Sequence, residues 1–296
     1  MRGLSAVADA GAGQQAHSPP DPRVHAFRPD LADAALRGRV EAARFVEPEL
    51  RACTAGRAAM RAAAHDNAVA VSELLWGEGF AVLEEAGGWA WGWSVHDHYV
   101  GHVRAEALGP AAPPPTHRVM ATQALLFCAP SIKAPVLARP PMGAPVAALG
   151  EDGDFLAVAG GFLHRRHLAP ADRPEPDPVS VAARLMGAPY LWGGRSAAGV
   201  DCSGLVQVAL GLCGIAAPRD SDQQRAALGR PVDPNGPLAR GDLVFFPGHV
   251  GFMADPVTLL HANAHWMAVV AEPLADVVAR LRGAGHPDPV LAIRRP

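Results

Sequence analysis

The sequence predicts an α+β protein in which two small β units precede a larger mixed unit. Three observations point there. Short β-like runs broken by Gly-rich turns fill residues 68–108 and 118–170. Two proline-rich stretches, GPAAPPPT (109–116) and ADRPEPDP (171–178), divide the chain as linkers would. Beyond the second, helical and strand-like patterns alternate.

Bulk properties agree with a globular chain. Its 296 residues suit two or three domains, and 49% are hydrophobic, enough to bury a sizeable core. Lysine and arginine number 26 against 29 acidic residues, a net charge of -3 that supplies no electrostatic reason for nucleic acid or an acidic membrane as partner. Cys53, Cys128, Cys202 and Cys213 form no C-x-x-C pair, which argues against a disulfide framework or a structural zinc site. No stretch approaches the roughly 20 apolar residues of a membrane span, and the first residues hold no apolar run of leader length. The expectation is a soluble, cytoplasmic protein.

Taken in order, residues 1–23 are small and polar and read as disordered. Residues 24–108 read as a helical lead-in, with Leu31, Ala35, Leu36 and Val40 near helical spacing over 30–46, followed by a first β unit. In that unit AVAVSELLW, GFAVLEEA, GWAWGWSV and YVGHVRAEAL are the strands. Trp89, Trp91 and Trp93 alternate, so one strand face carries all three, as core or interdomain packing would. Residues 117–170 repeat the same order of elements, and small-residue strands at this spacing suggest two small β-barrels.

Residues 179–296 form the mixed unit. VSVAARLMG is helical, and CSGLVQVALGLCGI is an amphipathic helix from Cys202 to Gly214. DLVFFP, HVGFMA and TLLHANA read as strands, LADVVARLR as a helix and VLAIRR as a last strand. Cys213 falls three turns along the helix and reads as core, while Cys53 and Cys128 read as inert.

Cys202 carries the chemistry. A thiol attacks a carbonyl as thiolate, and a helix N-terminus or a nearby imidazolium favours that form. The helix start supplies the first. His249 and His261 flank Asp255-Pro256, so a hairpin centred on Asp255 would set the two rings directly opposite each other, one orienting the other.

The blocks YLWGGRSAAGVDCSGLVQ, PRDSDQQ, RGDLVFF and HVGFMADPVTLLHAN together resemble the NlpC-type family of papain-like cell-wall peptidases. The resemblance spans nearly all of residues 179–296. It implies a papain-like fold with Cys202 as nucleophile, His249 as general base and acid, His261 as orienting residue and Tyr190 near the oxyanion. The two N-terminal units resemble bacterial SH3-like barrels, which points to the peptide-recycling branch. Those enzymes cleave the bond between γ-D-glutamate and a diamino acid in short murein peptides with a free N-terminal L-alanine. By that resemblance Glu73 and Tyr99 would hold the substrate amine, and Trp192, Asp201, Ser203 and Ser221 would line the rest of the pocket. No metal and no organic cofactor is needed for cysteine–histidine chemistry. A wall-binding module with a vestigial site and a papain-like acyltransferase are the alternatives.

Overall fold

The computed structural model describes residues 20–234 and 236–296. The disorder expected for residues 1–23 therefore falls mostly outside the described residues. Asp21 and Arg23 lie inside them, and Arg23 is held by ion pairs to Asp21, Asp220 and Asp222.

The expected lead-in helix over 30–46 is absent. Instead β1 (Ala32–Asp33) pairs in parallel with β2 (Phe45–Val46), and a single 3-10 turn at Ala34–Leu36 lies between them. Asp33 explains the difference. One of its carboxylate oxygens accepts from the Ala35 N–H, a local bond that competes with helix propagation. The other accepts from Trp93 Nε1 at 2.8 Å. Leu31 and Ala26 then pack on Leu83 and Trp91, so the apolar spacing serves an extended strap.

The first unit is one antiparallel sheet. Its strands are β3 (Glu49–Cys53), β4 (Arg57–Arg61), β5 (Ala70–Leu75), β6 (Gly79–Ala86), β7 (Trp89–Ser94), β8 (Val100–Arg104) and β9 (Leu108–Pro110), in the order β5-β4-β8-β7-β6-β3-β9. No pairing joins β5 to β9 among the described residues. Met60, Leu74, Phe80 and Val103 fill its core. The tryptophans of β7 are packing residues: Arg104 lies over Trp89, Arg28 over Trp91, and His98 stacks on Trp93.

The second unit comprises β10 (His117–Val119), β11 (Leu126–Phe127), β12 (Val136–Ala138), β13 (Pro145–Val146), β14 (Gly150–Asp152), β15 (Phe155–Val158), β16 (Gly161–His164) and β17 (Leu168–Pro170). They form two sheets, β13-β10-β17 and β12-β11-β16-β15-β14. The repeat seen in the sequence survives as structure: each unit ends with a strand, a 3-10 turn and a short strand, the turns being Ala105–Ala107 and Arg165–His167.

The third unit runs α1 (Pro178–Ala183), β18 (Arg195–Ser196), β19 (Gly199–Val200), α2 (Cys202–Leu212), α3 (Ser221–Ala227), β20 (Arg230–Pro231), β21 (Leu243–Phe246), β22 (His249–Met253), β23 (Thr258–Asn263), β24 (Ala268–Pro273), α4 (Leu274–Gly283) and β25 (Ala292–Arg295). Its sheet has the order β20-β25-β21-β22-β23-β24. Alternation along β21 sorts Leu243 and Phe245 to the α2 side and Val244 and Phe246 to the α4 side. Every residue of α2 except Gly211 is buried. The helix ends at Cys213, because Gly214 takes φ +78° and the Ile215 N–H closes on the Leu210 carbonyl. Among the described residues no helix is long and apolar enough to cross a membrane.

Candidate active site

Cys202 is the first residue of α2, where backbone N–H groups lack helical partners. Asp201 caps the helix, accepting from Gly204 N–H at 2.7 Å. Its carboxylate also takes both terminal nitrogens of Arg219, at 3.0 and 2.6 Å. Arg219 is almost wholly buried and donates further to Ser72 and Ser203. A buried ion pair thus pins the helix start to β5 of the first unit. Sequence reading missed Arg219, although it stands inside PRDSDQQ.

The Cys202 thiol points at the Gly248 carbonyl, 4.0 Å away. His249 follows Gly248 directly and opens β22. The expected lowering of the thiol pKa by the helix start does not prevail. Burial, helped by the Asp201 carboxylate, pushes it up to about 11. Burial likewise drives the His249 imidazole down to about 3. Burial thus opposes charge on the thiol and on the imidazole alike.

His249 and His261 do meet: Nε2 of the first lies 2.7 Å from Nδ1 of the second, with ring centroids 4.9 Å apart. The register differs from the expected hairpin. Phe252 pairs with Leu260 and Met253 with Leu259, so the turn centres on Pro256. Asp255 sets this by accepting from the Val257 and Thr258 N–H groups, while Ala254 bonds Thr258. His261 therefore stands across from Gly251, and the histidines meet on a diagonal. A Cβ on residue 251 would lie 2.8 Å from the His261 Cβ, so glycine leaves the space the rings use.

β24 adds a member that sequence reading missed. Glu272 accepts from His261 Nε2 at 2.9 Å and from Arg280 of α4 at 2.6 and 3.0 Å. Burial alone would raise this carboxyl, but Arg280, Trp266 and His261 bring it down to about 2. An ionised Glu272 only accepts, so His261 carries its proton on Nε2 and offers a lone pair at Nδ1. Neutral His249 must then donate from Nε2, which leaves its Nδ1 free as a base.

A cavity of about 290 Å³ holds Cys202 together with Tyr99, Trp192, Asp201, Ser203 and Ser221, five of the six expected substrate residues. Tyr190 is half-buried beside Cys202, and burial together with the Cys202 and Asp201 charges raises its hydroxyl pKa.

Glu73 does not line this cavity. Its side chain is 3% exposed, paired with Arg57, and accepts from the Arg195 N–H. The carboxylate beside Tyr99 is Asp220, whose Oδ2 accepts from the Tyr99 hydroxyl at 2.9 Å. Sequence reading singles out Ser221 of PRDSDQQ and passes over Asp220 beside it.

Residues 187–280 match the NlpC/P60 family, and residues 60–108 match the bacterial dipeptidyl-peptidase SH3 domain. A dipeptidyl-peptidase 6 of Lysinibacillus sphaericus is 38% identical over 87 residues, covering 29% of this chain and 31% of the relative. A gamma-D-glutamyl-L-lysine dipeptidyl-peptidase of Bacillus subtilis (strain 168) is 37% identical over 95 residues, with the same shares covered. The match thus spans about a third of either relative's length. The crystal structure of an NlpC/P60 family protein from Bacillus cereus ATCC 10987 superposes with TM-score 0.70 at 20% identity, over 83% of this chain and 99% of that one, which shows the shared fold. The chain therefore carries an NlpC/P60 domain joined to a bacterial dipeptidyl-peptidase SH3 domain.

Proposed function

We propose that the protein is a cysteine peptidase that hydrolyses the bond between γ-D-glutamate and a diamino acid in short peptidoglycan peptides with a free N-terminal L-alanine, in peptide recycling. Residues 24–108 and 117–170 serve in this reading as two SH3-like barrels, and 179–296 as the papain-like catalytic unit. The observation that carries it is one cavity that holds both the Cys202 thiol and Asp220, a carboxylate braced by Tyr99. A thiol at a helix start suits acyl transfer, and a carboxylate in the same cavity suits a substrate ammonium.

The steps follow from the tautomers. Nδ1 of His249 takes the proton of Sγ as the thiolate attacks the γ-carbonyl of the glutamate. Backbone N–H groups at the start of α2 and the Tyr190 hydroxyl face the developing oxyanion. His249 returns the proton to the leaving amine, and a thioester remains on Cys202. Water, deprotonated by His249, then attacks the thioester, and the thiolate recovers its proton. His261 and Glu272 hold the base in its orientation.

The assay is turnover of L-Ala-γ-D-Glu-L-Lys followed by release of L-Ala-γ-D-Glu. Wild-type protein should cleave it and Cys202→Ala should not. Equal turnover by the variant would refute the assignment of Cys202. An N-acetylated peptide cleaved as fast as the free amine would refute the amine recognition.

A further inference from the structure

The geometry points to Arg23 as a specificity-determining residue: the strap it anchors forms the end wall of the cleft and limits the substrate to two residues on the amine side of the scissile bond. This rests on the function proposed above and deepens it.

Arg23 lines the same cavity as Cys202, though it lies far away in the chain. Its guanidinium is saturated by carboxylates. Nη1 donates to Asp220 at 2.8 Å and to Asp222 at 2.9 Å. Nη2 donates to Asp21 at 2.8 Å and to Asp222 at 3.0 Å, and Nε donates to Asp21 at 3.2 Å. With every N–H engaged, Arg23 has no donor left for a substrate carboxylate, which excludes a role as an anion binder.

The backbone fixes the same strap to the first unit. The Arg23 carbonyl accepts from the Val100 N–H at 2.8 Å, one residue beyond Tyr99. Val24 packs against that unit's core, and Gln223 of α3 donates to Asp21 at 3.2 Å. The strap therefore bridges the first unit and α3 beside Asp220.

Arg23 and the Tyr99 hydroxyl both bind Oδ2 of Asp220. Two donors on one oxygen fix the carboxylate's orientation and leave Oδ1 as the acceptor for an ammonium. Asp21, Asp220 and Asp222 outnumber Arg23, so this end of the cleft stays net negative with Arg23 in place. A free N-terminus is welcome there by charge. A chain extended by one further residue would have to pass through the Arg23–Asp222 fork.

The experiment compares L-Ala-γ-D-Glu-L-Lys with Gly-L-Ala-γ-D-Glu-L-Lys, both with free amines, on wild-type protein and on Arg23→Ala and Arg23→Lys. Wild-type kcat/KM for the extended peptide should be lower by about a hundredfold. Arg23→Ala should narrow that gap at least tenfold by raising kcat/KM for the extended peptide itself, and Arg23→Lys should fall between. Thermal melting of each variant separates loss of the wall from loss of the fold. A gap unchanged in a folded Arg23→Ala, or wild-type protein that cleaves both peptides equally, overturns the inference and leaves the proposed activity standing. Wild-type protein that cleaves neither peptide overturns both.

Discussion

Glu73 and Arg195 are joined twice across the boundary between the first and third units. The Glu73 carboxylate accepts from the Arg195 backbone N–H at 2.8 Å, and the Glu73 carbonyl accepts from Arg195 Nη1 at 2.7 Å. Glu78 completes the network with a bidentate pair to the same guanidinium at 2.8 and 3.0 Å. Removing the Glu73 carboxylate leaves the buried Arg195 N–H without its acceptor, while the Arg195 guanidinium keeps Glu78. Glu73→Ala should therefore lower unfolding free energy by about 1–3 kcal/mol, read by denaturant titration. Its KM for the tripeptide should stay within about twofold of wild type in folded protein. A tenfold rise in KM at unchanged stability would return Glu73 to the substrate.

Glu272 acts on the reaction through His261. Glu272→Gln keeps the size but can present either an acceptor or a donor to His261 Nε2, so the tautomer that frees Nδ1 of His249 is no longer enforced. The expected loss in kcat is on the order of tenfold to a hundredfold, the lower part of what general acid–base catalysis contributes, with KM little changed. Arg280→Met, which leaves the carboxylate in place, should do less. A KM effect with kcat intact would place Glu272 in binding.

How much of this was legible depended on sequence distance. The start of α2 at Cys202 and its stop before Gly214 were visible because cap, helix and αL glycine lie within fourteen consecutive residues. The contact of His249 with His261 was visible for the same reason, although the Asp255 side chain builds a longer turn that moves each pairing two residues along β23. The lead-in helix failed because Asp33 bonds its own neighbour and Trp93 instead of yielding to apolar spacing. β3 and β4 escaped notice because ELRAC and RAAMR lack β-branched residues. Glu272 escaped because β24, which carries it, was not expected as a strand. That Glu73 stands outside the cavity, and that Arg23 and Asp220 stand in it, was not legible because their partners lie more than a hundred residues away; a charge in a sequence does not name its counterion.

The buried histidines make stability depend on pH. His249 has its pKa lowered from 6.5 to about 3, and His261 is lowered as well, in both cases chiefly by burial. A group depressed in the folded state stabilises above its unfolded pKa, and that contribution is lost as pH falls toward the folded value. Below pH 6.5 the unfolded chain takes up protons that the folded one refuses. Unfolding free energy should therefore fall from pH 6.5 toward pH 3, at up to about 1.4 kcal/mol per pH unit for His249, with His261 adding to the fall. Glu272, lowered from 4.5 to about 2, adds a further loss below 4.5. His249→Gln should flatten the slope between pH 6 and 4, as measured by denaturant titration at each pH. An unchanged slope would mean that His249 is protonated in the folded protein.

Asp220 is the most direct test of how the cleft recognises an amine. Its carboxylate is held by Tyr99 and Arg23, so Asp220→Asn preserves shape and much of the hydrogen bonding while removing the charge. A hydrogen bond to a charged group contributes about 1.5–3 kcal/mol, which corresponds to roughly 10- to 100-fold in KM for a free-amine tripeptide. The N-acetylated peptide has no ammonium to lose, so its kcat/KM should move by less than about threefold. Tyr99→Phe removes one of the two donors on Oδ2 without altering charge and should shift KM in the same direction by less. If Asp220→Asn weakened both peptides alike, the effect would be one of cleft geometry, and the ammonium would have to be sought at another carboxylate of the same cavity, Asp222.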